Sequence, residues 1–155
     1  MKNYKIRKGR INDIKQIQSL INFYGRQGLM ISRSLNELYE NIRDFWVCES
    51  RGRILGCSAV HISWENLVEI KSVAVDKSAV HKGMGSELLK ACLAEAKQLG
   101  AKKVFVLTYI PEFFRRFGFR KIAHASLPHK IWAECINCPK FPDCEEIALI
   151  KIIAK

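Results

Sequence analysis

Residues 67–93 read LVEIKSVAVDKSAVHKGMGSELLKACL, and two periodicities within this stretch decide the fold. Leu67, Glu69, Lys71, Val73 and Val75 alternate with Val68, Ile70, Ser72 and Ala74, the period of a strand. From Met84 the period changes: Leu88, Leu89, Cys92, Leu93, Ala96 and Leu99 form one helical stripe, stopped by Gly100. Gly83 and Gly85 stand at the junction. The first N–H groups of a helix lack intrahelical acceptors and favour an anion, and a glycine lets a ligand approach because no Cβ fills the space. Spacing excludes two phosphate loops. The Walker pattern GxxxxGK[ST] is missing, and the dinucleotide fingerprint GxGxxG fails at Leu88, where its third glycine belongs. Alone, the glycine pair fits a plain turn as well as a phosphate site.

Outward from this stretch, YKIRKG alternates as a short strand, and Ile14, Ile17, Leu20 and Ile21 mark a helix that Asn12 or Asp13 is placed to cap. Ser34 precedes Glu37 by three residues, a capping-box spacing that opens a second helix. Apolar runs on either side of Arg51-Gly52 predict a hairpin. KKVFVLTY is a strand, Pro111 opens a short helix PEFFRRF closed by Gly118, and FRKIAHA and EIALIKIIA are strands. The order β-α-α-β-β-β-α-β-α-β-β predicts an α+β fold, a mixed, mostly antiparallel sheet flanked by helices.

A chain of 155 residues, 48% hydrophobic and 26% charged, suits one domain spanning residues 1–155. No apolar run approaches the roughly 18 residues of a membrane span. The N-terminus MKNYKIRKGR lacks a signal-peptide core, so a cytoplasmic protein with no membrane partner is expected. The net charge of +11 favours anionic partners: phosphorylated cofactors, acidic metabolites or nucleic acid. The basic residues are spread along the chain and no RNA-binding fingerprint is present, so nucleic acid is not expected and a binding module of that kind is the weaker reading. The oligomeric state is open, a homodimer included.

With FFRRFGFRKI further on, the opening stretch resembles the GNAT acetyltransferase superfamily. The family's loop pattern, Arg/Gln-x-x-Gly-x-Gly/Ala, falls on Val80–Gly85, with Val80 departing from it. The resemblance implies the acyl-CoA N-acyltransferase fold. It also implies acetyl-CoA as co-substrate, its pyrophosphate held by the loop at His81, Lys82, Gly83, Met84, Gly85 and Ser86 and its pantetheine arm paired with Val73, Ala74 and Val75. Phe114 takes the cofactor-side position where many members carry a tyrosine that protonates the leaving thiolate. Phenylalanine donates no proton, so Tyr109 or water must serve, and a half-buried strand tyrosine is the plainer reading of Tyr109. Glu69 matches a carboxylate that several members use as base; an ion pair with Lys71 is the alternative.

GLMISRSLNELYENIRDFWVCE, VFVLTYIPEFF and FRKIAHASLPHKIW are similar to the short, stand-alone type of N-acetylglutamate synthase. That resemblance implies acetyl transfer to the α-amino group of glutamate or a related small amino acid, the first step of arginine biosynthesis. Arg33 would hold a substrate carboxylate with its planar fork, and Lys71 a second one. The alternative acceptors are a protein N-terminus or a lysine. A cysteine-bearing insertion at about 126–144 carries Cys135, Cys138 and Cys144 with His129 upstream, four soft ligands suited to a structural zinc. Reduced thiols or a redox disulfide fit the same spacing. Cys48, Cys57 and Cys92 sit singly in apolar surroundings, as small buried hydrophobes do.

Overall fold

The change from strand to helix period at residue 84 is reproduced in the computed structural model, which describes residues 3–127 and 146–154. The elements are β1 (Lys5–Lys8), α1 (Ile14–Gly25), α2 (Leu35–Glu40), β2 (Phe45–Ser50), β3 (Arg53–Trp64), β4 (Leu67–Val75), α3 (Met84–Gln98), β5 (Lys103–Thr108), α4 (Pro111–Arg115), β6 (Arg120–Ile122) and β7 (Ile147–Ile152). Seven strands form one sheet in the order β1-β2-β3-β4-β5-β7-β6. The β4–β5 pair is parallel, and the β1–β2, β2–β3, β5–β7 and β6–β7 pairs are antiparallel, as the element order predicts.

The chain divides into two compact units, Met1–Val60 with Ile70–Glu95, and His61–Glu69 with Ala96–Lys155. In the first, Ile14, Ile17 and Ile21 of α1 are fully buried with Leu38, Phe45 and Val47. Each such side chain contributes roughly 1.5–3 kcal/mol by leaving water. Asp13 does not cap α1 with its side chain. Its carboxylate instead accepts from both Nη atoms of Arg7 at 2.8 and 3.0 Å and from the Arg10 N–H at 2.8 Å, because a bidentate guanidinium outcompetes a single helix N–H. Ser34 does cap α2, accepting from Glu37 N–H at 3.1 Å. The β2–β3 hairpin turns at Arg51 and Gly52, with φ of 51° and 78°, the left-handed pair of a two-residue turn. Leu99, expected on the buried stripe of α3, is 48% exposed because the helix has ended at Gln98 and Gly100 turns the chain with φ 85°.

In the second unit, β5 pairs along its whole length with β7, Lys103–Thr108 against Ile152–Ile147, and β6 adds three residues to the other edge of β7. Leu67, Phe105, Leu127 and Ala148 form the core of this unit. Cys48, Cys57 and Cys92 are buried free thiols, as expected. Among the described residues, no group of His, Cys, Asp or Glu could hold a metal ion, and no helix is long and apolar enough to cross a membrane. Cys135, Cys138, Cys144 and His129 lie outside the described residues, with most of the expected insertion.

Candidate active site

The loop between β4 and α3 is built by three local devices. Asp76 Oδ1 accepts from the Ser78 N–H at 2.9 Å and from its hydroxyl at 2.6 Å, which turns the chain as it leaves β4. His81 and Gly83 then adopt left-handed backbone, φ 64° and 86°, and both are exposed with Lys82. Met84, 5% exposed, packs with Ala79, Leu88 and Cys48 and fixes the start of α3. Glu87 N–H donates to Gly83 C=O at 3.1 Å, closing the first helical turn. At Gly83 an added Cβ would meet only Tyr4 Oη, at 4.0 Å, so the glycine is favoured by its φ rather than by neighbouring protein atoms. A loop of alternating backbone hand ahead of a 15-residue helix concentrates N–H groups and the positive end of the helix dipole in one place. Beside it opens a pocket of about 490 Å³, to which Arg53 and Lys82 bring positive charge and Tyr4 and Ser78 hydroxyls. The Tyr4 phenol donates to the Glu87 carboxylate, and that hydrogen bond, with burial, pushes its pKa up to about 12.

The second half of β4 has its backbone groups assigned by contacts of the first unit. Ser72 has φ 57°, a left-handed residue inside a strand, which interrupts regular pairing. The Cys57 thiol on β3 spans the irregularity: it donates to Ser72 C=O at 3.3 Å, and the Ala74 N–H is hydrogen-bonded to the same sulfur. Asp76 N–H donates to Leu55 C=O at 2.8 Å. Residues 72, 74 and 76 thus turn their groups toward β3. Strand alternation turns those of Val73 and Val75 to the opposite edge. There Tyr24 Oη, from α1, donates to Val75 C=O at 2.5 Å. Within the segment Val73–Val75, Ala74 thus faces β3, while Val73 and Val75 face away.

Glu69 belongs to the second unit. It is 7% exposed, in register with Phe105 on β5, beside the apolar Leu67 and Val68. Thr108 ends β5 and its Oγ1 accepts from Ile110 N–H at 2.9 Å; Tyr109, between them, is half-buried. Phe114 is 2% exposed, edge-on to Phe113 and Phe119 at 5.0 and 5.6 Å between ring centroids, and so is a core residue of α4. Lys71 is half-buried on β4, in the first unit.

Arg33, in the segment between α1 and α2, is held by its backbone. Its N–H donates to Asn22 Oδ1 at 3.0 Å, and its C=O accepts from Gln18 Nε2 at 3.2 Å and Asn22 Nδ2 at 3.5 Å. The side chain is 11% exposed, with Nη1 3.2 Å from Glu37 Oε2. Gln18, Asn22 and Tyr24 escaped the sequence reading, as did the hydrogen-bonding role of Cys57. The only signal for the first two is their spacing of four, which stacks two amides on one flank of α1.

Residues 41–121 match the acetyltransferase (GNAT) domain family, a stretch that contains β4, the Val80–Gly85 loop and α3. The chain is a GNAT acetyltransferase. This acetyltransferase is 37% identical over 148 residues to an uncharacterized N-acetyltransferase of Chlorobaculum tepidum, covering 96% of each chain. It is 34% identical over 132 residues to an amino-acid acetyltransferase of Mycobacterium tuberculosis, covering 83% of this chain and 75% of that one. A solved structure from Mycobacterium tuberculosis, in complex with CoA, superimposes on the acetyltransferase with TM-score 0.82 at 29% identity, over 96% of this chain and 99% of that one. N-acetylglutamate synthase from Neisseria gonorrhoeae, complexed with coenzyme A and N-acetyl-glutamate, shares the fold with TM-score 0.87 at 24% identity, over 100% of this chain and 36% of that one. The mixed seven-stranded sheet flanked by helices is the GNAT fold that the sequence predicts.

Proposed function

We propose that this acetyltransferase moves the acetyl group of acetyl-CoA to the α-amino group of glutamate or a related small amino acid, the reaction that opens arginine biosynthesis. The observation that carries the reading is Arg33, a largely buried guanidinium whose backbone is fastened to α1 on both sides. A planar fork held in place suits a carboxylate, which it can bind through two parallel hydrogen bonds. The names of the Mycobacterium tuberculosis relative and the Neisseria gonorrhoeae synthase support the same class of acceptor.

In this reading the N–H groups at Gly83, Met84 and Gly85, with His81, Lys82 and Ser86 around them, hold the pyrophosphate, and the outward backbone of Val73 and Val75 pairs with the pantetheine arm. Arg33 and Lys71 hold the two carboxylates of the acceptor. The neutral amine attacks the thioester carbonyl, the carbon–sulfur bond breaks, and the amine proton passes to Glu69 directly or through water. The departing thiolate takes a proton from Tyr109 or water, because Phe114 has none to give. A transfer screen across the amino acids and model peptide amines, following CoA thiol release, tests the proposal. Glutamate should lead. Faster acetylation of lysine or a peptide amine would overturn the acceptor assignment and leave the fold and acetyl donor in place.

A further inference from the structure

We infer that Asn22 is a positioning residue for the acceptor amino acid, holding Arg33 by its backbone so that the guanidinium is presented to a carboxylate. The inference rests on the reading of Arg33 as the carboxylate holder. Three residues on one face of α1 carry it. Asn22 accepts from Arg33 N–H at 3.0 Å and donates to Arg33 C=O at 3.5 Å, pairing with that residue as one peptide group pairs with another. Gln18, one turn earlier, donates to the same carbonyl at 3.2 Å. Gly25, nearly one turn later, receives the neighbouring Ser32: a Cβ at Gly25 would lie 2.1 Å from Ser32 Oγ and 3.2 Å from Ser32 Cα.

Residues 18, 22 and 25 are spaced i, i+4, i+7, so they form a continuous strip along the helix. Two amides and an absent side chain therefore make a seat for residues 32 and 33. The cost of misplacing Arg33 is steep because bidentate pairing needs its plane and its distance together. The apolar side of α1, through Ile14, Ile17 and Ile21, is anchored in the core, so the seat is rigid and the segment it holds is the adjustable partner. Ser34 and Glu37 fix the chain immediately beyond by capping α2, which leaves Arg33 pinned from both directions.

The test is a double-mutant cycle on acceptor kinetics, with CoA affinity and thermal unfolding followed in every variant. Asn22→Ala should raise the KM for the amino acid about tenfold, the worth of a part-buried hydrogen-bonding partner lost. The turnover number should change far less, and CoA affinity should stay within about twofold. In an Arg33→Ala background, Asn22→Ala should add nothing further, since it acts through the residue already removed. Asn22→Asp, which keeps the acceptor for the 3.0 Å bond, should restore most of the loss and serves if the alanine variant fails to fold. Equal KM increases from Asn22→Ala with and without Arg33, or a parental KM in the folded variant, would overturn the inference alone. A parental acceptor KM in Arg33→Ala would remove the carboxylate role of Arg33, and this inference with it.

Discussion

Replacing Gly83 with valine separates what the loop needs from the protein and what it needs from the ligand. An added Cβ there meets nothing closer than Tyr4 Oη at 4.0 Å, so the Cβ itself is accommodated. The φ of +86° remains, and a left-handed L-residue costs about 1–2 kcal/mol. For a chain of this size that is a fall of about 2–8 °C in Tm. The loss on the ligand side should be larger. A backbone N–H bonded to a charged phosphate is worth roughly 1.5–3 kcal/mol, so a relaxed φ that turns one such group away weakens CoA binding by about 10- to 150-fold. Calorimetric titration with CoA, alongside a thermal melt, reads both. Gly83→Ala should show a similar fall in Tm with a smaller loss of affinity. A folded Gly83→Val variant that binds CoA with parental affinity would refute the assignment of this loop to the pyrophosphate.

Glu69→Gln should depress turnover most at the low end of the working pH range, where removing the amine proton is hardest, with little effect on CoA affinity; a superimposable pH–rate profile would remove Glu69 from the mechanism. Arg33→Lys keeps the charge and loses the fork, so catalytic efficiency with glutamate should fall by about 1.5–3 kcal/mol while the acetyl-CoA KM holds. Burial pushes the Asp13 carboxyl up, but the hydrogen bonds from Arg7 and the Arg10 N–H prevail and hold it below the ordinary carboxylate range. The stability it contributes is present above its unfolded value, about 3.9, and is lost as pH falls through the lower folded value. Acid melts of Asp13→Asn should therefore be flatter than the parent's below about pH 4. Metal analysis after reducing purification separates the readings of Cys135, Cys138, Cys144 and His129: about one zinc per chain, with chelation lowering Tm, marks a structural site, and none marks free thiols.

The element order was legible because hydrophobic period and glycine punctuation agree along nearly every segment, from the Ile14–Ile21 stripe to the stop at Gly100. The loop was legible for a related reason: left-handed backbone at an exposed turn selects glycine, and Gly83 is where it is needed. Ser72 and His81 are equally left-handed and gave no sign, since serine and histidine carry no such preference strongly enough to be read. The irregularity at Ser72 was not legible, whereas the parting of Ala74 from Val73 and Val75 follows the ordinary alternation of a strand. Cys57 was readable as a small buried group but not as a hydrogen-bonding bridge, because its partners are backbone atoms of another strand. Asn22 and Gln18 look like ordinary solvent-facing helix residues until the returning segment is placed against them.

The buried thiols set how the protein answers a sulfhydryl reagent. Burial pushes Cys48 up to about 11 and Cys57 and Cys92 up to about 12, so at neutral pH all three are held as thiols. These three cysteines stay silent on the timescale of a turnover assay that detects liberated CoA. They become reactive only when their surroundings open. Because Cys57 lies on β3, bridging to β4, and Cys92 lies on α3, their alkylation rates, resolved peptide by peptide, clock the breathing of the strands and helix that border the candidate CoA loop.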